Sequence, residues 1–127
     1  QPGTGPAGAR EAQYAITCAL LALMNRETTA TGARFAAALV PSNAHTYLDP
    51  VPPLEARKYE MVGKCGAKEG FPTLDLVPAF RAAAREGGRT QLHYRLDLHW
   101  NAAGHALAAA ELSRLLREAR LLPVRLP

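Results

Sequence analysis

Helix-like and strand-like segments alternate along most of the 127-residue sequence. Apolar residues at helical spacing indicate helices, and the short apolar or alternating runs between them indicate strands. Because consecutive parallel strands need a crossover between them, this order favours an α/β fold with a parallel sheet. The predicted strands cover residues 34–40, 73–76 and 91–96, and the predicted helices cover residues 11–26, 54–65, 77–85 and 102–120.

We predict one domain, residues 1–127, with a three-layer α/β architecture in which helices flank a short parallel sheet. The hydrophobic fraction of 48% is ordinary for a globular chain and allows a core. Residues 1–10, rich in Gly, Pro and Ala, are expected to be a flexible end, and residues 121–127 an apolar tail. The proline-rich segment Pro41–Pro53 predicts a loop, and Gly66 predicts the end of the second helix.

The formal net charge is +4, and the basic residues, mostly arginines, are scattered along the sequence. Nucleic-acid binding needs basic residues clustered on one face, and the sequence has neither a basic run nor aromatic residues interleaved with one. The longest apolar run, Tyr14–Met24, is shorter than the roughly 20 residues that span a bilayer. We therefore predict no nucleic-acid partner and no transmembrane segment in this chain.

The two cysteines, Cys18 and Cys65, form neither a CxxC motif nor a metal-binding pattern. Cys18 lies in an apolar helical stretch and is predicted to be a buried small hydrophobe, with a disulfide as the open alternative. Three histidines, His93, His99 and His105, recur every six residues, a spacing that suggests a metal site. Their predicted positions on strand, loop and helix need not converge, so we predict no metal ligand and no cofactor.

The segment with the clearest chemical meaning is the short loop that carries Asp97 and His99. It follows an alternating apolar run and precedes a helix that Asn101 can cap. In an open α/β sheet this loop lies at the carboxyl end of a strand, where sites are usually built. An acid that orients one imidazole nitrogen leaves the other nitrogen able to take a proton from a hydroxyl nucleophile. The alternative is an ordinary turn acid beside a surface histidine.

The stretch DLHWNAAGH, followed by an alanine-rich helix, resembles the last motif block of SGNH (GDSL-type) hydrolases. The segments ITCALLALM, GARFAAALVPS, LDL and LHYRLDLHW also come in the order of that family's carboxyl-terminal half. The resemblance implies a partial SGNH or flavodoxin-like fold and a serine esterase or acylhydrolase. It also implies catalytic roles for Asp97 and His99 and a small-molecule or carbohydrate ester as substrate.

The sequence departs from that family at the nucleophile. The family's Gly-Asp-Ser turn and Gly-x-Asn-Asp turn are absent, and the two serines, Ser42 and Ser113, lack that setting. We therefore expect this chain to be the carboxyl-terminal part of an SGNH domain. By itself it should not hydrolyse an activated ester at a rate that depends on His99. The missing amino-terminal half or a homo-oligomer is expected to cover the open sheet edge. Ser42 lacks a glycine-flanked turn, which predicts an ordinary polar loop residue rather than a nucleophile.

Two other functions stay open at this point. The Asp-x-His-Trp block, together with the VPS loop and Tyr47, also resembles alginate-type O-acetyltransferases. In those enzymes the serine block follows the Asp-His block, which would put the nucleophile beyond Pro127. The Asn-x-x-Gly-His continuation favours the hydrolase order instead. The third possibility is a non-catalytic α/β interaction module.

Overall fold

The computed structural model describes residues 5–86 and 91–123. Within these ranges the chain is rich in helix and contains two short strands. Residues 1–4 and 124–127, which belong to the expected flexible end and the expected tail, lie outside the described residues. The elements are α1 (Pro6–Ala30), β1 (Ala37–Leu39), α2 (Asn43–Tyr47), α3 (Pro53–Glu69), β2 (Thr73–Asp75), α4 (Val77–Arg85) and α5 (Ala102–Glu118).

The first helix is longer than the sequence predicts. It begins at Pro6, five residues before the predicted start at residue 11. Proline is well tolerated in the first helical turn, where its missing N–H has no partner to lose, and alanines follow it here. At the other end the helix continues to Ala30, and the Thr29 hydroxyl bonds back to the Asn25 carbonyl at 2.8 Å.

The two strands lie side by side in a short parallel sheet. The Ala37 N–H donates to the Pro72 carbonyl at 3.1 Å, and the Leu76 N–H donates to the Leu39 carbonyl at 3.4 Å. The α/β class with parallel strands is therefore confirmed, and both strands fall inside their predicted ranges.

The predicted third parallel strand over residues 91–96 is wrong. This segment forms one isolated antiparallel bridge, between His93 and Trp100. The chain turns back on itself, so that the Tyr94 N–H donates to the His99 carbonyl at 3.1 Å and the Asn101 N–H to the Leu92 carbonyl at 3.0 Å. These local bonds use the backbone groups that a third strand would offer to the sheet.

The chain divides into two compact units, of which the first contains residues up to Ala37 together with Arg57–Thr73. In this unit Cys18 and Cys65 form a disulfide, so the prediction of a free buried Cys18 is wrong and the open alternative is correct. Gly66 does not end α3, because the helix continues to Glu69 and the chain turns at Gly70 with a φ of +79°. A Cβ on Gly66 would lie 2.6 Å from the Phe71 carbonyl oxygen, so glycine here allows close packing.

The second unit contains Ala38–Ala56 and the residues from Leu74 onward. Its core is formed by Leu76, Phe80, Leu92 and Ala108, which join α4 and α5 to the segment after residue 90. The observed α4 matches the predicted helix, and the observed α5 ends two residues earlier than predicted.

Two local features of this second unit bear on the site. The Asp75 carboxylate accepts from the Val77 N–H at 2.9 Å and thereby supports the start of α4. The predicted loop Pro41–Pro53 contains the short helix α2, so the loop prediction is wrong for residues 43–47. Arg81 of α4 holds this helix, since its guanidinium donates to the carbonyls of His45 at 2.8 Å and Leu48 at 2.7 Å.

Candidate functional site

The loop that carries Asp97 and His99 is fixed at both ends, by a backbone bridge and by a helix cap. On one side it is closed by the bridge between His93 and Trp100. On the other side Asn101 caps α5, since its side-chain oxygen accepts from the Gly104 N–H at 3.0 Å, as predicted from the sequence. Both ends are therefore anchored although the loop itself is exposed.

Asp97 and His99 are in direct contact on this loop. The same carboxylate oxygen of Asp97 accepts from the His99 backbone N–H at 2.8 Å and hydrogen bonds the His99 ring through Nδ1. The backbone N–H, and then the ring, hold the pKa of Asp97 below its usual value, because both bonds favour the ionised carboxylate. The structure thus brings the two predicted site residues together, while their catalytic role stays a prediction.

The imidazole of His99 is open to solvent, with 85% of its side chain exposed. It lies on the rim of a cleft of about 360 Å³. Because Asp97 engages Nδ1, the nitrogen left for an incoming hydroxyl is Nε2. The cleft is lined by Val40, Pro41, Ser42, Leu98, His99, Trp100 and His105.

Trp100 forms much of the floor of this cleft. Its ring packs against Phe80, with 5.1 Å between the ring centroids, and edge-on against His105 at 5.6 Å. Its indole N–H donates to the Pro41 carbonyl at 3.3 Å, which ties the floor to the opposite wall. Gly104 allows this packing, since an added Cβ would lie 2.2 Å from the Leu92 carbonyl oxygen and 3.0 Å from the Trp100 Cβ.

Tyr47 and the buried His93 join the two walls behind the cleft. The Tyr47 hydroxyl accepts from the Leu92 N–H at 2.8 Å and lies 3.0 Å from His93 Nδ1. His93 Nε2 donates to the Pro41 carbonyl at 3.4 Å, because a carbonyl oxygen can only accept. Burial lowers the pKa of His93, and the bond to Pro41 opposes this only in part.

A serine–histidine contact lies beside the same cleft, which Ser42 lines. Ser42 caps α2, and its Oγ lies 2.7 Å from His45 Nδ1. His45 is buried, with 2% of the residue exposed, and its Nε2 lies 3.1 Å from the Glu55 carbonyl oxygen. Sequence reasoning gave His45 no role. The Ser-x-x-His spacing could have indicated this contact, because residues three apart face each other at a helix start.

The three regularly spaced histidines do not converge. His93 faces Tyr47 and Pro41, His99 faces Asp97, and His105 packs on Trp100. Within residues 5–86 and 91–123, no group of three or more His, Cys, Asp and Glu side chains is arranged to hold a metal ion. In the same ranges, none of the helices combines the length and the hydropathy that crossing a membrane requires.

Sequence comparison identifies the family. Residues 5–125 match the family described as the SGNH hydrolase-like domain of the acetyltransferase AlgX. The chain belongs to this family. The resemblance to SGNH proteins that the DLHWNAAGH block indicated is therefore confirmed, and the acetyltransferase alternative now has more support than the hydrolase interpretation.

A structural comparison agrees with the SGNH-like fold of this family. The O-acetyltransferase domain of Pseudomonas putida AlgJ superimposes on the chain with a TM-score of 0.73 and 21% sequence identity. The match covers 94% of this chain and 44% of the AlgJ chain, so the two share an SGNH-like fold over less than half of the longer structure. No curated protein sequence matches the chain.

Proposed function

We propose that this chain is part of an O-acetyltransferase that transfers an acetyl group to a hydroxyl of a carbohydrate. The observation that carries the proposal is the hydrogen bond that Nδ1 of the exposed His99 donates to the Asp97 carboxylate. Membership in the AlgX family supports transfer over hydrolysis. The structural likeness to the AlgJ O-acetyltransferase domain is consistent with the same fold and the same general chemistry.

In this proposal Asp97 and His99 have separate tasks. Asp97 keeps the imidazole in the Nδ1–H tautomer and stabilises the imidazolium that forms during the reaction. His99 uses Nε2 as the general base that takes the proton of the attacking hydroxyl, and it returns that proton to the leaving group. Neither residue forms a covalent bond to the acetyl group.

We assign the nucleophile to a serine that residues 1–127 do not supply to His99. His99 has Asp97 as its ring partner, whereas Ser42 is bonded to His45. The incoming serine attacks the acetyl carbonyl, the donor alcohol leaves, and an acetyl-serine ester results. His99 then deprotonates the acceptor hydroxyl, which attacks that ester and regenerates the serine. Water in place of the sugar would make the same site a hydrolase.

The cleft beside His99 suits this acceptor. It is open and about 360 Å³ in volume, so a sugar ring can reach Nε2 without passing through a closed channel. The Trp100 ring and Val40 give it an apolar surface against which the methyl of an acetyl group or the face of a sugar can pack.

The experiment compares transfer and hydrolysis in the complete protein. The acetyl donor is p-nitrophenyl acetate, the acceptor is an oligosaccharide, and the acetylated sugar is measured by mass spectrometry. Asp97→Asn and His99→Ala should each lower turnover by orders of magnitude, up to about 10⁴-fold. Asp75→Asn is the matched control, since Asp75 makes the same backbone bond without a histidine ring. Unchanged turnover in both variants would refute the catalytic roles, and acetate as the sole product would favour hydrolysis.

A further inference from the structure

The structure contains a second hydroxyl with its own base, separate from Asp97 and His99. Ser42 Oγ lies 2.7 Å from Nδ1 of His45, a normal distance for a hydrogen bond between a hydroxyl and an imidazole. His45 Nε2 lies 3.1 Å from the backbone carbonyl oxygen of Glu55. Serine, imidazole and carbonyl therefore form a continuous hydrogen-bonded chain within the second unit.

The Glu55 carbonyl determines which nitrogen of His45 carries the proton. A carbonyl oxygen has no hydrogen to donate, so His45 Nε2 must be the donor in that contact. In the neutral ring, Nδ1 is then an acceptor, and the Ser42 hydroxyl donates to it. A serine hydroxyl that donates to a neutral imidazole is the arrangement that activates serine nucleophiles.

The position of the pair allows a ligand to reach the hydroxyl but shields the base. Ser42 lines the cleft of about 360 Å³ that also contains His99. His45 lies behind it with 2% of the residue exposed. The ring is fixed from both sides, by Ser42 and by Glu55, and Arg81 holds the His45 carbonyl at 2.8 Å.

From this geometry we propose that Ser42 is an acylation site, with His45 as its general base and an ester-type acyl donor as its reactant. Ser42 Oγ attacks the carbonyl carbon of the donor, and its proton moves to His45 Nδ1. The bond from that carbon to the donor's alcohol oxygen then breaks, and the leaving alkoxide takes the proton from Nδ1. The products are an acyl ester on Ser42, the free alcohol and a neutral His45.

This inference goes beyond the proposed function, because it uses a different hydroxyl and a different base. The acyl group on Ser42 would lie beside the cleft that holds His99.

The test treats the 127-residue chain with p-nitrophenyl acetate near neutral pH, followed by peptide mapping. We expect a burst of about one p-nitrophenolate per chain and one acetyl group on the peptide that contains Ser42. A fluorophosphonate, which labels activated serines, should modify the same residue. An unmodified Ser42 peptide with both reagents would overturn the proposal.

Matched variants separate this site from Asp97 and His99. Ser42→Asn keeps a good N-cap for α2 but removes the hydroxyl, so labelling at this position should be lost. His45→Gln should slow labelling by about 10²- to 10⁴-fold, the usual contribution of a general base. Ser113→Ala should label like the parent chain, because Ser113 lies on α5 and does not line the cleft, and circular dichroism checks the fold of each variant.

Each remaining outcome decides the question. Labelling that falls in His99→Ala but not in a folded His45→Gln would assign the base to His99 and refute the inference. If His45→Gln fails to fold, the position of the acetyl group in the peptide map and the labelling of Ser42→Asn decide whether Ser42 is the acylation site. Labelling that persists in His99→Ala while acetyl transfer by the complete protein is lost would support both proposals independently.

Discussion

Asp97 holds His99 twice through one carboxylate oxygen, at the backbone N–H and at the ring nitrogen Nδ1. Asp75 makes the same backbone bond to Val77 two residues ahead, at 2.9 Å, but no ring lies there. The turn is therefore an ordinary local preference of aspartate. The imidazole two residues after Asp97 adds a side-chain hydrogen bond to that turn.

The first prediction concerns the tautomer of neutral His99. Because the Asp97 carboxylate accepts from Nδ1, the neutral ring should carry its proton there and leave Nε2 as the acceptor. The ring ¹⁵N chemical shifts, measured while the ring is neutral, report this directly. Asp97→Ala should shift the ring toward the Nε2–H form that free histidine prefers, whereas Asp75→Ala should change nothing at His99. An Nε2–H tautomer in the parent chain would contradict the assignment.

The second prediction concerns pH and His93. Burial lowers the pKa of His93 in the folded chain, so the native ring stays neutral at a pH where the unfolded ring, with a pKa of about 6.5, is protonated. The unfolded chain then binds more protons, and the free energy of unfolding should fall as pH drops from about 6.5 toward the lowered folded value. One such group gives a slope of at most about 1.4 kcal/mol per pH unit.

Urea unfolding at several pH values between about 7 and about 5 measures that slope, because this range includes the pKa of about 6.5 of an unfolded histidine. His93→Gln keeps an amide that can bond Tyr47 and Pro41 but cannot titrate, so the slope should become shallower. An identical slope in His93→Gln would show that another group is responsible.

Much of the site could be predicted because it depends on short-range rules. The Asp-x-His spacing, the cap at Asn101 and the helix after it are decided by residues within one or two turns of each other. The bounds of α4 follow in the same way from Val77, Pro78 and the apolar residues after them. These contacts are local, so the sequence contains the information for them.

The errors come from tertiary contacts that a sequence pattern does not report. Leu92, Tyr94 and Leu96 alternate like a strand, but Leu92 is buried and Leu96 is fully exposed, because the chain turns back to pair His93 with Trp100. The cysteines meet across 47 residues, and no local rule pairs them. The partners of Ser42 and His45 include Glu55, ten residues from His45, which the local spacing does not indicate.

The third prediction concerns Gly104 beneath the cleft floor. A Cβ at this position would meet the Leu92 carbonyl oxygen at 2.2 Å, and backbone atoms can move only by shifting the loop. Gly104→Ala should therefore destabilise the chain by about 1–3 kcal/mol, as overpacking usually does, and should disturb the Trp100 fluorescence. Chemical denaturation measures the loss of stability in Gly104→Ala.

Gly63→Ala is the matched control for that substitution. Gly63 lies inside α3, and nothing lies within 4 Å of an added Cβ. Alanine in an open helix interior should stabilise the chain by roughly 0.5–1 kcal/mol. A Gly104→Ala variant that is as stable as Gly63→Ala would mean that the loop carrying Asp97 and His99 can shift to accommodate the added Cβ without a loss of stability.

The last prediction concerns the disulfide between Cys18 and Cys65, which links α1 to α3 across 47 residues. Cross-linking so long a segment restricts the unfolded chain, so Cys18→Ala/Cys65→Ala should lose roughly 2–4 kcal/mol in urea unfolding. Reductant should lower the parent chain to a similar stability and leave the double variant unchanged, because the variant has no bond to reduce. The native, unreduced chain should also show no reaction with Ellman's reagent under denaturing conditions, because both thiols are joined in the disulfide. Two free thiols in that assay, or a double variant as stable as the parent, would show that the cysteines are not joined in solution.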